Sequence, residues 1–152
     1  MKIAIAADHG GFPLKAELVE LLKQAGHEPI DLGAAEYIAG DDYPDSARAV
    51  GLAIQRGESE RGIVLCGSGV GACIAANKMH GIRASICHDT YSAAQGVEHD
   101  AMNVLCLGAR IIGEELARSL VRAFVSAAFS TDPRFRRRLD KVVELEKAQS
   151  QG

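Results

Sequence analysis

Strand-like and helix-like segments alternate along almost the whole chain, and this alternation constrains the fold more than any other feature of the sequence. Short apolar runs such as residues 2–7 (KIAIAA) and 62–66 (GIVLC) are each followed by a longer segment with the apolar spacing of a helix. Parallel strands need long crossovers, which helices usually supply, and the helices then cover both faces of the sheet. The alternation therefore predicts an α/β fold with a doubly wound, five-stranded parallel sheet, a Rossmann-like or flavodoxin-like three-layer sandwich.

Local signals give the boundaries of these segments. The predicted strands cover residues 2–7, 28–32, 62–66, 83–88 and 103–108. Five predicted helices cover residues 13–26, residues 45–57 with Asp45 and Gly57 as caps, a stretch ending near Met79, a stretch from about Thr90, and residues 113–128. A sixth helix is predicted at about 133–149, after the cap Asp132. No strand follows this C-terminal helix, so we expect it to pack on a partner subunit.

Composition and charge limit the classes of protein to which the chain can belong. The 152 residues carry a formal net charge of −3, which gives no bulk attraction for nucleic acid, although four arginines cluster at 134–138. The four cysteines have no C-x-x-C spacing, and the sequence has neither an N-terminal leader pattern nor an apolar run of about 20 residues. We therefore expect one cytoplasmic domain over residues 1–152, with reduced thiols, no membrane segment and no nucleic-acid partner.

Glycines and polar residues gather where the predicted strands end. In an open parallel sheet, ligands bind beyond the carboxyl ends of the strands, where loops meet helix N-termini. These positions hold DHGG (8–11), CGSGVG (66–71), HD (88–89) and GAR (108–110). Glycines let a backbone approach an anion closely, so CGSGVG is a candidate cradle for an oxyanion or a phosphate. It matches neither the P-loop nor the G-x-G-x-x-G spacing, and a strand-to-helix turn without a function is the alternative interpretation.

Cys66 is the most specific candidate for chemistry. It is predicted to end a buried strand and to face a helix N-terminus, a position that favours a thiolate and suits a base or a nucleophile. The alternative is that it is a small buried apolar residue, which is our expectation for Cys73, Cys87 and Cys106.

Two histidines, His9 and His99, each lie beside a carboxylate, Asp8 and Asp100 respectively. Histidine is the side chain best suited to transferring protons near neutral pH. No set of His, Cys, Asp or Glu has the spacing of metal ligands, so we expect chemistry without a metal or another cofactor.

Six segments together resemble one known family. They are AADHGGFPLK (6–15), DYP (42–44), CGSGVGACIAANK (66–78), GIRAS (81–85), NVLCLGAR (103–110) and RFRRR (134–138). In this order they resemble the type B ribose-5-phosphate isomerases, whose relatives act on allose 6-phosphate and galactose 6-phosphate. The resemblance implies a metal-independent aldose–ketose isomerase of the pentose phosphate pathway that interconverts ribose 5-phosphate and ribulose 5-phosphate. It also implies a homodimer or a dimer of dimers, with active sites at the subunit interface.

The resemblance further implies roles for individual residues. Cys66 would move a proton between C1 and C2, and His99 would open the furanose ring. Donors to the enediolate oxygen would be Ser68 and the amides of Gly67, Gly69 and Gly71. Contacts to the rest of the substrate would come from Asp8 and Tyr43 at the sugar hydroxyls, from Asp100 beside His99, and from His9, Arg110, Arg134 and Arg138 at the phosphate.

The spacing of the arginines separates them into two pairs. Arg134 and Arg138 are four positions apart, so a helix places both on one face. We expect Arg136 and Arg137 to face solvent.

Three features depart from the family pattern. Asp100 stands where Asn is common, which adds negative charge near an anionic substrate, and Ser68 stands where Thr is common. Residues 34–44 also differ, and they lead into Tyr43. Two alternatives therefore stay open, an isomerase of six-carbon sugar phosphates and a non-catalytic module that binds phosphate or a nucleotide.

Overall fold

The computed structural model of the protein describes residues 1–150 and contains one five-stranded parallel sheet. Gln151 and Gly152, which the predicted domain includes, lie outside the described residues. The strands are β1 (Lys2–Ala7), β2 (Glu28–Asp31), β3 (Arg61–Cys66), β4 (Ala84–Ile86) and β5 (Val104–Gly108). The helices are α1 (Phe12–Gln24), α2 (Tyr43–Gln55), α3 (Val70–Ala76), α4 (Thr90–Asp100), α5 (Glu114–Ser126) and α6 (Pro133–Gln149). The predicted doubly wound α/β fold with an added C-terminal helix is confirmed.

The strands lie side by side in the order β2-β1-β3-β5-β4. After β1 the chain crosses to one side to form β2, and it then crosses back to form β3 on the other side of β1. Such a reversal leaves a crevice between the loops that follow two neighbouring strands, and ligands commonly bind there. In this sheet the reversal lies between β1 and β3, the strands that precede DHGG and CGSGVG.

Alternate residues of each strand face opposite layers of helices. Ile3 and Ile5 of β1 pack with the layer of α1, α4 and α5, whereas Ala4 and Ala6 pack with α2 and α3. The α2/α3 side of the sheet is therefore the small-residue face. Cys66, the last residue of β3, belongs to this face.

Helix α2 begins earlier than predicted. Its first residue is Tyr43 rather than the expected start after Asp45, and Asp42 is the N-cap residue with an extended backbone. Proline is favoured in the first turn of a helix because its fixed φ suits a helix and because the N–H groups of that turn have no partner within the helix, so proline loses no hydrogen bond there. Pro44 therefore belongs inside the helix. The C-cap is Arg56, and the predicted cap Gly57 follows it with a φ of 70°.

Helix α3 ends at Ala76 rather than near Met79. The Asn77 side chain accepts a hydrogen bond from the Ala84 amide (2.9 Å) and donates one to the Ala84 carbonyl (2.8 Å). These two bonds tie the end of the helix to the start of β4, and the chain leaves the helix at Asn77.

Helix α6 covers its predicted range and packs against α4 through its N-terminal half. Asp132 caps it by accepting a hydrogen bond from the Arg134 amide. Phe135 and Leu139 are buried, but further along the same helix Leu145 remains 67% exposed. The apolar residues of α6, Phe135, Leu139, Val142 and Leu145, are therefore only partly covered within one chain.

Candidate active site

The loops after β1, β3 and β5 meet in backbone-to-backbone contact. A β-carbon on Gly10 would lie 2.9 Å from the amide nitrogen of Gly67, and one on Gly108 would lie 2.5 Å from the carbonyl oxygen of Ser68. Larger residues at these two glycines would force the loops apart. Because Gly10 and Gly108 have no side chains, the ends of the three strands can lie close together in one junction.

Cys66 lies at this junction with only 4% of its surface exposed. The amide of Gly69 donates a hydrogen bond to its sulfur over 3.1 Å. Gly69 has a φ of 82°, a left-handed conformation that only glycine adopts without cost and that turns the chain from the loop into α3. The predicted strand-end position of Cys66 is confirmed, and the Gly69 amide, one of the three predicted to bind the enediolate, contacts the sulfur in this structure.

Three predicted ligands surround the junction. Asp8 is buried, and one of its carboxylate oxygens accepts a hydrogen bond from the Gly11 amide over 3.0 Å. The Tyr43 ring lies so close to Gly71 that a β-carbon on that glycine would be 2.7 Å from the ring. The Arg110 side chain crosses over Gly67, where a β-carbon would lie 3.5 Å from its Cδ.

The other polar groups at the junction are more open to solvent. The Ser68 side chain is exposed, and its oxygen accepts a hydrogen bond from the Val70 amide over 3.2 Å. His9 and Arg110 line a cleft of about 450 Å³. We call the whole group the thiol cluster; it comprises Asp8, His9, Tyr43, Cys66, Gly67, Ser68, Gly69, Gly71 and Arg110.

His99, Arg134 and Arg138 lie together at a second place, between α4 and the start of α6. The His99 ring stacks on Phe135 with 3.9 Å between the ring centroids and an interplanar angle of 10°. The guanidinium carbons of Arg134 and Arg138 lie 4.8 and 5.6 Å from the centroid of the same ring. We call these residues, with Phe135, the imidazole cluster. The prediction that Arg134 and Arg138 share one helix face is confirmed.

The neighbours of the imidazole cluster include the remaining predicted residues. The Gln95 side-chain amide lies 2.8 Å from Nδ1 of His99, one helical turn away. Asp100 is exposed at the end of α4 and lines a cleft of about 780 Å³ that Arg138 also lines. Arg136 and Arg137 are exposed, as expected, and Arg136 pairs with Asp140 over 2.9 Å.

The two clusters do not meet within one chain. Among residues 1–150, no hydrogen bond, ion pair or ring contact joins a member of the thiol cluster to a member of the imidazole cluster. The structure therefore brings nine of the predicted residues together and places the predicted ring-opening histidine and two phosphate-binding arginines elsewhere.

The three cysteines outside the thiol cluster differ in burial and in pKa. Cys73 on α3 is half-buried, and a hydrogen bond from the Cys106 thiol lowers the pKa of Cys73 to about 6, while partial burial acts in the opposite direction. The same bond, together with burial, raises the pKa of Cys106 well above its usual value. Cys87 is buried, and burial raises its pKa. Cys87 and Cys106 are buried, as expected, and Cys73 packs half-buried against the α2/α3 side of the core.

Sequence reasoning missed three residues that hold the predicted ones in place. Gln95 could have been found because it precedes His99 by four positions on one helix. Phe135 lies within the RFRRR segment, and its stack on His99 joins two helices that are distant in the sequence. Asp41 contacts His9, and nothing local in the sequence indicates a contact between residues 32 positions apart.

No group of three or more His, Cys, Asp or Glu side chains in residues 1–150 is placed to hold a metal ion. Over the same residues, every helix is either too short or too polar to cross a membrane.

Comparison with known proteins places this geometry in context. The profile of the family described as Ribose/Galactose Isomerase matches residues 3–142. Ribose-5-phosphate isomerase B of Escherichia coli is 43% identical over 145 residues, which are 95% of this chain and 96% of the relative. A solved structure of ribose-5-phosphate isomerase B from Clostridium thermocellum has a TM-score of 0.93 and 44% identity, covering 98% of this chain and 99% of that chain. The Mycoplasma genitalium enzyme, solved with bound ribulose-5-phosphate, has a TM-score of 0.90 and 39% identity, covering 96% of each chain.

Proposed function

Since the chain belongs to the Ribose/Galactose Isomerase family, we propose that it is an aldose–ketose isomerase that interconverts ribose 5-phosphate and ribulose 5-phosphate. Ribose 5-phosphate is in the names of its relatives from Escherichia coli and Clostridium thermocellum, and ribulose-5-phosphate is bound in the Mycoplasma genitalium structure. The observation that carries the proposal is the position of Cys66, which ends β3 beside the strand-order reversal with an amide donor on its sulfur. We also place the enzyme in the cytoplasm.

The proposed reaction needs one base that removes and returns a proton. The Cys66 sulfur takes the proton from C2 of the open-chain aldose and delivers it to C1, while the proton of the C2 hydroxyl passes to the C1 oxygen. The reverse direction uses the same groups. Negative charge develops on the carbonyl oxygen during the transfer. A fixed donor to such an oxygen contributes roughly 2.7–4 kcal/mol in other enzymes, and Ser68 with the amides of Gly67 and Gly71 are the nearby donors.

The proposed substrate also carries a phosphate far from the reacting carbons. Guanidinium groups bind phosphate strongly because they donate two parallel hydrogen bonds. Arg110 supplies one such group to the thiol cluster, and the cleft beside it is shared with His9. Binding energy from the phosphate then positions C1 and C2 against the sulfur.

We propose that the complete site forms between two subunits. The thiol cluster lacks the ring-opening histidine and two arginines. These residues lie in the imidazole cluster of the same chain, which does not contact the thiol cluster. In a two-fold dimer, each thiol cluster would face the imidazole cluster of the other subunit. The exposed apolar residues Val142 and Leu145 of α6 give such a dimer a surface to bury. Two such dimers could associate further into a dimer of dimers.

The experiment that tests the activity follows both product and proton. The protein is incubated with ribose 5-phosphate in deuterated water, and NMR measures ribulose 5-phosphate and deuterium at the proton-transfer carbon. Both signals are expected. Their absence, with binding of inorganic phosphate retained, would support the non-catalytic module instead. A higher kcat/KM for allose 6-phosphate or galactose 6-phosphate than for ribose 5-phosphate would contradict the proposed substrate.

A further inference from the structure

His9 is tied to a single carboxylate oxygen of the distant loop residue Asp41. The backbone N–H of His9 donates to Oδ1 of Asp41 over 2.6 Å, and Nδ1 of the imidazole lies 3.1 Å from the same oxygen. Nδ1 also lies 3.2 Å from the Asp41 carbonyl oxygen. Every one of these Asp41 groups is an acceptor, so the contact requires a proton on Nδ1. Asp41 therefore fixes both the orientation of the ring and the nitrogen that carries the proton.

The opposite nitrogen of the ring is left for a ligand. Nε2 of His9 makes no hydrogen bond within residues 1–150, and the side chain is 31% exposed. His9 lines the cleft of about 450 Å³ together with Arg110 and Glu114. A phosphate bound beside Arg110 would thus meet an imidazole whose ring is already held in position. The Asp41 carboxylate on the far side of the ring balances positive charge when the ring donates from both nitrogens.

We propose that Asp41 is a positioning residue for phosphate binding, acting through His9. The proposal rests on the proposed function only in taking the anion to be the phosphate of the sugar substrate. Asp41 itself is negatively charged, so a direct contact with phosphate would be repulsive. Its favourable effect must therefore disappear when His9 is absent. This dependence separates a positioning role from a general role in holding the loop.

The first measurement reads the tautomer of His9 directly and needs no activity. With inorganic phosphate bound, nitrogen chemical shifts of ¹⁵N-histidine-labelled protein are expected to show His9 with protons on both Nδ1 and Nε2. Asp41→Ala should shift His9 toward the Nε2–H tautomer, whereas Asp41→Asn keeps an acceptor oxygen and should retain the wild-type pattern. Glu36→Ala, which removes an exposed carboxylate from the same loop, is the matched control. An unchanged His9 signal in Asp41→Ala would overturn the proposal.

The second measurement is a double-mutant cycle on phosphate binding. Asp41→Ala should raise the KM for ribose 5-phosphate and the Kd for inorganic phosphate by about tenfold, with kcat within about twofold, because it disturbs a hydrogen bond to a charged group. Asp41→Asn should recover most of the loss. In the His9→Ala background, Asp41→Ala should change the KM for ribose 5-phosphate and the Kd for inorganic phosphate by less than about twofold. An equal effect of Asp41→Ala with and without His9 would assign Asp41 to loop folding and refute the proposal. If calorimetry shows this pattern for inorganic phosphate but no isomerase activity exists, the positioning role stands and the proposed function fails.

Discussion

Most of the thiol cluster lies at the ends of three neighbouring strands and on the loops that leave them, with Tyr43 and Gly71 at the starts of α2 and α3, whereas the imidazole cluster lies on the surfaces of two helices. Backbone contacts fix the first, since Gly10 meets Gly67 and Gly108 meets Ser68 without intervening side chains. Side-chain contacts fix the second, through the stack of His99 on Phe135 and the nearby arginines. The sheet therefore determines the geometry of the thiol cluster. The imidazole cluster depends on the packing of one terminal helix.

This difference suits the two proposed roles. A base that transfers a proton must hold a position accurate to a fraction of an ångström, and Cys66 is buried at the end of a central strand. Phosphate binding tolerates longer and more mobile side chains, and Arg134 is exposed on a helix surface. The comparison predicts a loss in kcat from replacing Cys66 in the first cluster and losses in substrate affinity from replacing the arginines of the second.

Replacing the proposed base should have the largest effect. Cys66→Ala is expected to lower kcat by at least about 100-fold, since loss of a general base typically has an effect of this size. Binding of inorganic phosphate should stay within a few-fold, because the thiol acts on the reacting carbons. Steady-state kinetics and calorimetry measure the two quantities. Cys87→Ala, another buried cysteine, is the control, and more than about a tenth of wild-type kcat in Cys66→Ala would exclude this role.

Mixing two inactive variants should restore part of the activity, because each variant supplies the cluster that is damaged in the other. Cys66→Ala and His99→Asn each leave a dimer with two damaged sites, but a mixed dimer has one site with an intact thiol cluster and an intact imidazole cluster. Random reassortment makes about half of the dimers mixed, so about a quarter of all sites should recover. Activity is measured after co-refolding, with subunit exchange verified by mass spectrometry. If exchange occurs and activity stays at the level of the separate variants, both residues serve a site within one chain.

The arginines should show a smaller effect that depends on helix face. Arg134→Ala and Arg138→Ala are each expected to raise KM by about tenfold and to weaken inhibition by inorganic phosphate, because each removes a charge-assisted hydrogen bond. Arg137→Ala is the control on the same helix and should change KM by less than about twofold. Four similar effects across Arg134, Arg136, Arg137 and Arg138 would indicate a diffuse positive field instead of a defined anion site.

The smallest expected effect concerns Cys73, a cysteine outside the thiol cluster. The pKa of Cys73 is lowered to about 6, so between about pH 6 and 9 the folded protein should carry a thiolate that the unfolded chain lacks. A pH titration of the ultraviolet thiolate absorbance should show one step near pH 6 that Cys73→Ser abolishes. Cys106→Ala should move that step to higher pH, because it removes the hydrogen bond from the neighbouring thiol. A step that persists in Cys73→Ser belongs to another cysteine.

The sequence predicts the sheet and the thiol cluster well because both follow from local patterns. Apolar runs mark the strands, and the carboxyl ends of parallel strands meet at one edge of a sheet, so Asp8 and Cys66 were expected at the same edge. The end of α3 was missed because it is set by Asn77 and Ala84, whose side-chain and backbone contacts cross from one segment to the next.

The supporting contacts of the site could not be predicted in the same way. The stack of His99 on Phe135 joins α4 to α6 across 36 positions, and it depends on how the terminal helix packs. The bond between His9 and Asp41 depends on the path of a loop without regular structure. Periodicity carries no information about either contact, because neither partner lies in the same segment as the other.

The small-residue face described above has a consequence for engineering the enzyme. Ala4 and Ala6 leave little space between the sheet and α2, the helix that begins with Tyr43, and Cys66 lies on the same face. An enlarged residue there would push α2 outward and move Tyr43 away from Gly71. On the opposite face, Ile3 and Ile5 contact helices that carry no member of the thiol cluster. A laboratory seeking a more heat-resistant catalyst should therefore repack the contacts of α1 and α5 with the sheet, and should leave α4 in the same layer unchanged because it carries His99.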